Sequence, residues 1–397
     1  MQKNIEAAGI ELVWGGVEKC VGVIPDITII IPAYNVAEYV EECICSALSA
    51  CEGLCSEIII INDGSKDKTH DVIMAFLDIR RPVFTRYYMQ ENSGISAVRN
   101  TGVRLSSGRF ISFLDSDDLL SGLAIKKAYD FAVDNNCDLV FGRSIVFDSK
   151  THAVYPFYDD WAWGGLLKGR PSRVISRGED PSIFFLEPNP CYRLVRRELF
   201  SGGQLDFPVG RFFEDPPVHY KMLALSSRVG LIDIPYYWYR VGRPGKTTTD
   251  RSMRRYHILD VANETLKTLS EMSLSAKEGA AVVYGLTRIT WWCGLMVQPV
   301  HRKDFFEKAC IIFARETPIE WAKSFFLQRL PEDISYIVGG ALLDGDKDRL
   351  VNLSYGRKQP LKTAFTLLKI GRIDLIRQRI VKVKHSFWLR IRNAQSC

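Results

Sequence analysis

Short β-branched runs, each ending in polar turn residues and followed by a helical period, set the pattern of the first third of the chain. Ile27-Thr-Ile-Ile-Ile31 and Glu57-Ile-Ile-Ile-Ile-Asn62 are apolar on both alternating faces, as expected of strands covered on both sides in a parallel sheet. The first leads through Pro32-Ala-Tyr-Asn35 into a helical stretch from Val36 to Ala50. The second leads through Asp63-Gly-Ser-Lys-Asp67 into a helix reaching about Arg80. A third unit runs from Pro82 to Tyr88, through Gln90-Glu-Asn-Ser-Gly94, into a helix holding Arg99 and Asn100; a fourth strand is Arg109 to Leu114. Strand, polar loop and helix in repetition predict a right-handed α/β sheet with ligands in the crevice beyond the carboxyl ends of its strands.

The fourth strand stops at Asp115-Ser-Asp117-Asp118. Acids bunched at the end of a buried strand repel one another and resist desolvation, so they call for a cation or for donors. A divalent metal fits, because Mg²⁺ or Mn²⁺ takes one or two carboxylates and fills its octahedron with phosphate oxygens and water. The same residues also suit a solvated turn in which Asp118 caps the next helix.

The ordered set IIIPAYN, IIIINDGSKDKT, ENSGISAVRNTG and FLDSDD resembles glycosyltransferase family 2, of the GT-A fold. Further on, CYRLVRRELF and FPVGRFFEDPPVHYKMLALSSRVGLIDIPYYWYRVGRPGKTTT resemble the acceptor-side half of that family, so the likeness covers roughly Asp26 to Thr249. It implies an inverting transfer of a sugar from a nucleotide-diphosphate sugar, a UDP-sugar foremost, to an acceptor hydroxyl in bacterial surface-polysaccharide synthesis. The fold it implies is α/β, a Rossmann-like, mostly parallel sheet with helices on both faces, followed by a mainly helical unit.

By the same resemblance, Pro32, Ala33, Tyr34 and Asp63 hold the nucleotide base, and Arg99 and Asn100 lie near the diphosphate. Asp117 takes the metal, Asp115 the metal or the ribose, and Asn35, Asn92, Gly94 and Ser116 complete the donor site. Physically, a guanidinium suits phosphate because its fork is bidentate and never loses its charge. Tyr34 equally suits core packing, and Asp63 equally suits a turn before Gly64. On the acceptor side an inverting reaction needs a base opposite the leaving group. The family pattern gives that role to Asp215, with Glu214 beside it, although the pair also suits the start of a helix from Val218 to Leu225. Arg240, Arg243 and Thr247 belong to a cationic, Gly-containing loop able to fold over a diphosphate. Lys246 stands where the family commonly has Ser. His219 reads as structural and is left out of the metal shell.

The length of 397 residues and the 47% hydrophobic content suffice for two units with a proper core. The expected division is an extension at 1–26, a catalytic domain at 27–250, a helical domain at 251–350 and a basic tail at 351–397. Helical periods fall at Tyr256–Ser273, Ala276–Val297, Arg302–Arg315 and Pro318–Gln328. Residues 1–26 lack a secretory-signal layout, and Gly279–Val297, interrupted by Arg288, reads as a buried helix in place of a membrane span. Ten scattered cysteines without a Cys-x-x-Cys pair predict reduced thiols in a cytoplasmic protein.

Charge sharpens the picture at the carboxyl end. Net charge is +6, yet Tyr355 to Cys397 alone hold 11 Lys or Arg against one acid, Asp374. Interleaved Phe365, Leu368, Ile376, Phe387 and Trp388 make this stretch a candidate anchor on the anionic inner face of the cytoplasmic membrane, suited to a lipid-linked glycan acceptor. Packing of its apolar side on the helical unit is the alternative. Two other functions stay open on the residues alone, a sugar nucleotidyltransferase and a non-catalytic membrane-surface binder. The Pro32-Ala-Tyr-Asn35 loop is not the Gly-rich lysine loop of the former, and no aromatic-basic signature points to nucleic acid. Tyr155, Tyr158, Trp161 and Trp163 are candidates for stacking on sugars.

Overall fold

A run of isoleucines without polar interruption can be buried only if both faces of its strand are covered, and the structure covers them. The computed structural model describes residues 9–16, 24–80, 84–243, 250–327 and 333–355. Strands β2 (Ile27–Ala33) and β3 (Ser56–Asp63) are buried almost throughout and pair in parallel, Ile29 opposite Ile58 and Ile31 opposite Ile60. Edge strand β1 (Ile10–Gly15) runs antiparallel to β4 (Thr85–Gln90), while β4 and β5 (Phe110–Phe113) extend the parallel centre on either side. Helices α1 (Val40–Ala50), α2 (Thr69–Arg80) and α3 (Ile95–Leu105) cross between them. Gly102 lets α3 lie against β2, since a Cβ there would stand 2.4 Å from Ile30.

The second half of the sheet has a different character. The described residues form an eleven-stranded sheet with the main order β1-β4-β3-β2-β5-β10-β7-β11-β6. Here β10 (Arg193–Arg196) lies antiparallel between β5 and β7 (Leu139–Asp148). The long β11 (Arg228–Val241) is parallel to β7 but antiparallel to β6 (Leu119–Leu120). Strands β8 (Val154–Pro156) and β9 (Ser172–Ser176) pair with β7 and β11. The sheet is therefore mixed, and its continuous parallel run is confined to β4-β3-β2-β5, where helical crossovers connect the strands. Helices α4 (Ala124–Asp134), α5 (Asp160–Leu167) and α6 (Asp215–Leu225) complete this half.

Helices α7 (His257–Ser270), α8 (Ala276–Met296), α9 (Arg302–Glu316), α10 (Ile319–Leu327), α11 (Asp333–Leu343) and α12 (Lys347–Ser354) follow. The first four match the helical periods of the sequence closely. A capping box starts α8, with Ser275 N–H donating to Glu278 at 2.8 Å and Glu278 N–H to Ser275 Oγ at 3.3 Å. Most of α8 is buried, and Arg288 within it pairs with Glu187 at 2.7 Å. Gly279 and Gly285 let α8 approach Trp321 and Tyr220, the latter on α6. No helix of the described residues is long and apolar enough to cross a membrane.

Against the expectation of reduced thiols, Cys55 is disulfide-bonded, while Cys43, Cys45, Cys51, Cys137, Cys191, Cys293 and Cys310 are free. Trp163 is core under Arg143, and Trp161 packs on Phe185 and Tyr284, so neither is open for sugar stacking; Tyr155 and Tyr158 are exposed.

Candidate active site

The carboxyl ends of β2, β3 and β5 deliver the candidate residues to one edge of the sheet. Pro32 and Ala33 close β2 with buried side chains; Tyr34 beyond them is 47% exposed, so its ring is free of the core. Asn35 adopts a left-handed φ of 51° and accepts from Lys66 N–H at 2.8 Å, tying the first loop to the second. Asp63, 3% exposed, accepts from Ser93 N–H (2.9 Å), Gly94 N–H (2.9 Å) and Gln90 Nε2 (2.8 Å). Asn92 donates to the Asp63 carbonyl at 3.0 Å. Asp63 therefore braces the third loop against the second, and Gly94, at φ 87°, starts α3 from that brace.

Asp115, Ser116, Asp117 and Asp118 follow β5 as predicted, but their partners differ. Asp118 is 1% exposed and accepts from Tyr237 Oη and, at 2.5 Å, from Arg240 N–H. It ties the strand end to β11 and caps no helix: α4 begins only at Ala124, after Leu123 in the left-handed region. A buried carboxylate takes whichever donors pack over it, and these come from a strand about 120 residues later, a distance over which local turn chemistry is blind. The Asn100 amide donates to Phe207 O at 2.8 Å and accepts from Phe207 N–H at 2.7 Å, so it pins the loop at Phe207 to α3.

Arg99, one residue earlier, is 1% exposed and joins the two halves. Its Nη2 donates to Asp115 at 2.9 Å, and its Nη1 donates to both Glu214 and Asp215 at 2.8 Å. Burial opposes its charge, yet Asp215, Asp115 and Glu214 together hold its pKa well above the ordinary arginine value. Asp215 is the first residue of α6, followed by Pro216 and Pro217, which offer no N–H to the acids before them. Its pKa is pushed well above the usual carboxylate range by burial and then by Glu214, with Arg99 working in the opposite direction. Phe213, just before the pair, holds a left-handed φ of 71°, a conformation costing about 1–3 kcal/mol for a bulky residue.

The cationic loop is partly in view. Arg240 is buried over Tyr39 and Phe147, donates from Nε to the Asp117 carbonyl at 2.6 Å and from Nη2 to Glu42 at 2.7 Å. Its role here is a strut between β11 and α1, a role that the acid on α1 did not announce. Arg243 pairs with the Asp117 carboxylate. Lys246 and Thr247 lie outside the described residues. The sequence reading also passed over Arg193 on β10, a buried guanidinium that donates to His219 Nδ1 at 2.8 Å and stacks on Phe141 and Tyr192. Burial and then Arg193 hold His219 neutral, so the histidine is structural. The signal was an arginine beside the apolar Leu194 and Val195 in a short strand.

Among the described residues, no three His, Cys, Asp or Glu side chains converge to hold a metal by themselves. Asp115 and Asp117 nevertheless suit a hard divalent ion shared with a diphosphate, which needs only one or two carboxylates. Each now has one oxygen on a guanidinium, Arg99 and Arg243 respectively.

An α/β sheet with acids and polar loops at its strand ends, continued by helices, defines the class as a GT-A fold. The sequence profile described as Glycosyl transferase family 2 matches residues 28–201. EpsJ of Bacillus subtilis, an uncharacterized glycosyltransferase, is 31% identical over 219 residues, 55% of this chain and 61% of that protein. The glycosyltransferase GlyA of Streptococcus pneumoniae is 27% identical over 64% of this chain but 36% of its own length. The chain thus matches less than two thirds of either relative. TarS of S. aureus, solved in complex with UDP-GlcNAc, superposes with a TM-score of 0.67 at 17% identity, covering 84% of this chain and 92% of that one.

Proposed function

We propose that this chain is an inverting glycosyltransferase that moves a sugar from a UDP-sugar to a hydroxyl of a cell-surface glycan or its lipid-linked precursor. The observation that carries this is the guanidinium of Arg99, which couples Asp115 at the donor-side strand end to Glu214 and Asp215 on the far side. UDP is favoured because the S. aureus TarS structure of the same fold holds UDP-GlcNAc, and the polymer class because GgaA of B. subtilis, 32% identical over 61% of this chain, is a minor teichoic acid biosynthesis protein.

In the proposed reaction Asp215 takes the proton of the acceptor hydroxyl while that oxygen bonds to the anomeric carbon. The bond from that carbon to the diphosphate breaks on the opposite face, and UDP leaves with the electron pair, inverting the centre. Arg99 opposes the burial and the Glu214 charge that raise the pKa of Asp215. Tyr34 lies against the base, and Asp63 fixes the loop of Asn92 and Gly94 around it. Asp115 and Asp117 would hold Mn²⁺ or Mg²⁺ with the diphosphate, and such an ion neutralises the charge of the leaving group. Replacing Asp215 by Asn should lower kcat by about 10²- to 10⁴-fold and leave UDP affinity nearly intact. Turnover of UDP-GlcNAc, UDP-glucose and UDP-galactose, with thermal shifts measured with and without Mn²⁺, tests this; normal turnover by that variant would refute the role of Asp215.

The basic segment 355–397, outside the described residues beyond Tyr355, supports attachment to an anionic membrane surface from the cytoplasmic side. Loss of salt-sensitive sedimentation with phosphatidylglycerol vesicles on deleting residues 356–397 would bear this out.

A further inference from the structure

We infer that the helical region acts on catalysis directly: the first turn of α7 and Trp292 of α8 grip residues 211–213 and thereby set the position of Glu214 and Asp215. The inference rests on the proposed base role of Asp215. Three consecutive residues before the catalytic pair are each held from the helical side. The Arg211 guanidinium reaches Asp260 at 2.6 Å, the Phe212 N–H donates to His257 Nδ1 at 3.1 Å, and the Phe213 ring meets Trp292 edge-on with centroids 6.3 Å apart. Arg255, fully buried, lies between the same two rings, 5.5 Å from Phe213 and 4.1 Å from Trp292, and is itself fixed by Nε donating to the Asp250 carbonyl at 2.7 Å.

The strain at Phe213 makes this grip necessary. A bulky residue at φ 71° stays there only where its surroundings impose it. Nothing in the sequence of the loop favours that conformation; the helical region supplies the constraint. His257 and Asp260 stand three residues apart on α7, so both face the same loop. The contacts are not equal. Arg211 and Asp260 are well exposed and their attraction is screened, whereas the amide bond and the aromatic stack fix direction as well as distance. None of these groups touches a reacting atom, so they are positioning residues. Because α6 begins at Asp215, a shift in residues 211–213 moves the base relative to the acceptor oxygen, and about 1 Å of misplacement can cost on the order of 100-fold in rate.

The test uses the full chain and four proteins: wild type, His257→Ala, His257→Asn and Trp292→Leu. Amide hydrogen exchange of peptides covering 209–215 reads the grip, and UDP release from UDP-GlcNAc, UDP-glucose and UDP-galactose reads catalysis. His257→Ala and Trp292→Leu are expected to speed exchange at the Phe212 amide and to lower kcat about 10- to 100-fold, with donor KM unchanged within about twofold. His257→Asn keeps an acceptor near the position of Nδ1 and should restore both protection and most of kcat, which a general loss of packing would not. Unchanged protection in His257→Ala, or lost protection with unchanged kcat, would overturn the inference. Lost protection in a protein whose wild type turns over none of the UDP-sugars would instead sink the glycosyl-transfer reading and leave the grip supported.

Discussion

One guanidinium serving three carboxylates leaves Arg99 no conservative replacement. Lysine offers a point charge on a flexible stem and cannot span Asp115 on one side and the Glu214–Asp215 pair on the other. Breaking a buried pair by removing one partner costs about 3–5 kcal/mol, and the partial exposure of these acids, 13–27%, moves the expectation to the lower end. Arg99→Lys should therefore lose about 3 kcal/mol in urea unfolding, with a matching collapse of turnover; a variant as stable as wild type would mean that the three acids find other donors. At this scale the sequence was readable where a residue's place follows from the strand before it, as for Pro32 and Ala33 closing β2 and Asp63 closing β3. It misled where the partner is distant: Asp118 looks like a cap until β11 covers it.

Helix α8 is the element on which the two halves meet. Its Gly285 sits where a Cβ would be 1.9 Å from Tyr220 Oη, on the helix that Asp215 begins. Gly285→Ala should cost about 1–3 kcal/mol, the usual penalty of overpacking, and lower kcat more than it changes UDP affinity, as seen by chemical denaturation beside initial rates. The helical periods and the isoleucine strands could be read from the sequence because burial on one or both faces writes itself into periodicity. The mixed half could not: β6 has two residues, β10 four, and their places depend on pairings across the chain. Edge strand β1, lying in what reads as a mere extension, was equally hidden, since an exposed edge needs little apolar pattern.

Across the whole molecule, stability should depend on pH through a group outside the catalytic cluster. Asp159 is buried, accepts from Tyr192 Oη at 2.9 Å and Glu187 N–H at 3.1 Å, and burial, with Glu187 adding to it, raises its pKa from 3.8 to about 6. A carboxyl whose folded pKa is raised binds its proton more tightly in the folded state. Its contribution is complete below about pH 4 and lost as pH rises through about 6. The shift of roughly 2 units corresponds to about 3 kcal/mol. The stability difference between Asp159→Asn and wild type should consequently move by about that amount in favour of the variant from pH 4 to pH 7, measured by urea unfolding; a flat difference would show that Asp159 has the same pKa folded and unfolded. The long reach of Arg99, to partners 115 and 116 positions further along, has a consequence for the life of the chain. Everything proposed to cradle the donor before the cationic loop is made before the base is, and the base is steadied only once the later helices have emerged from the ribosome. In the proposed reaction, a copy lacking those helices would meet the sugar nucleotide without a positioned base.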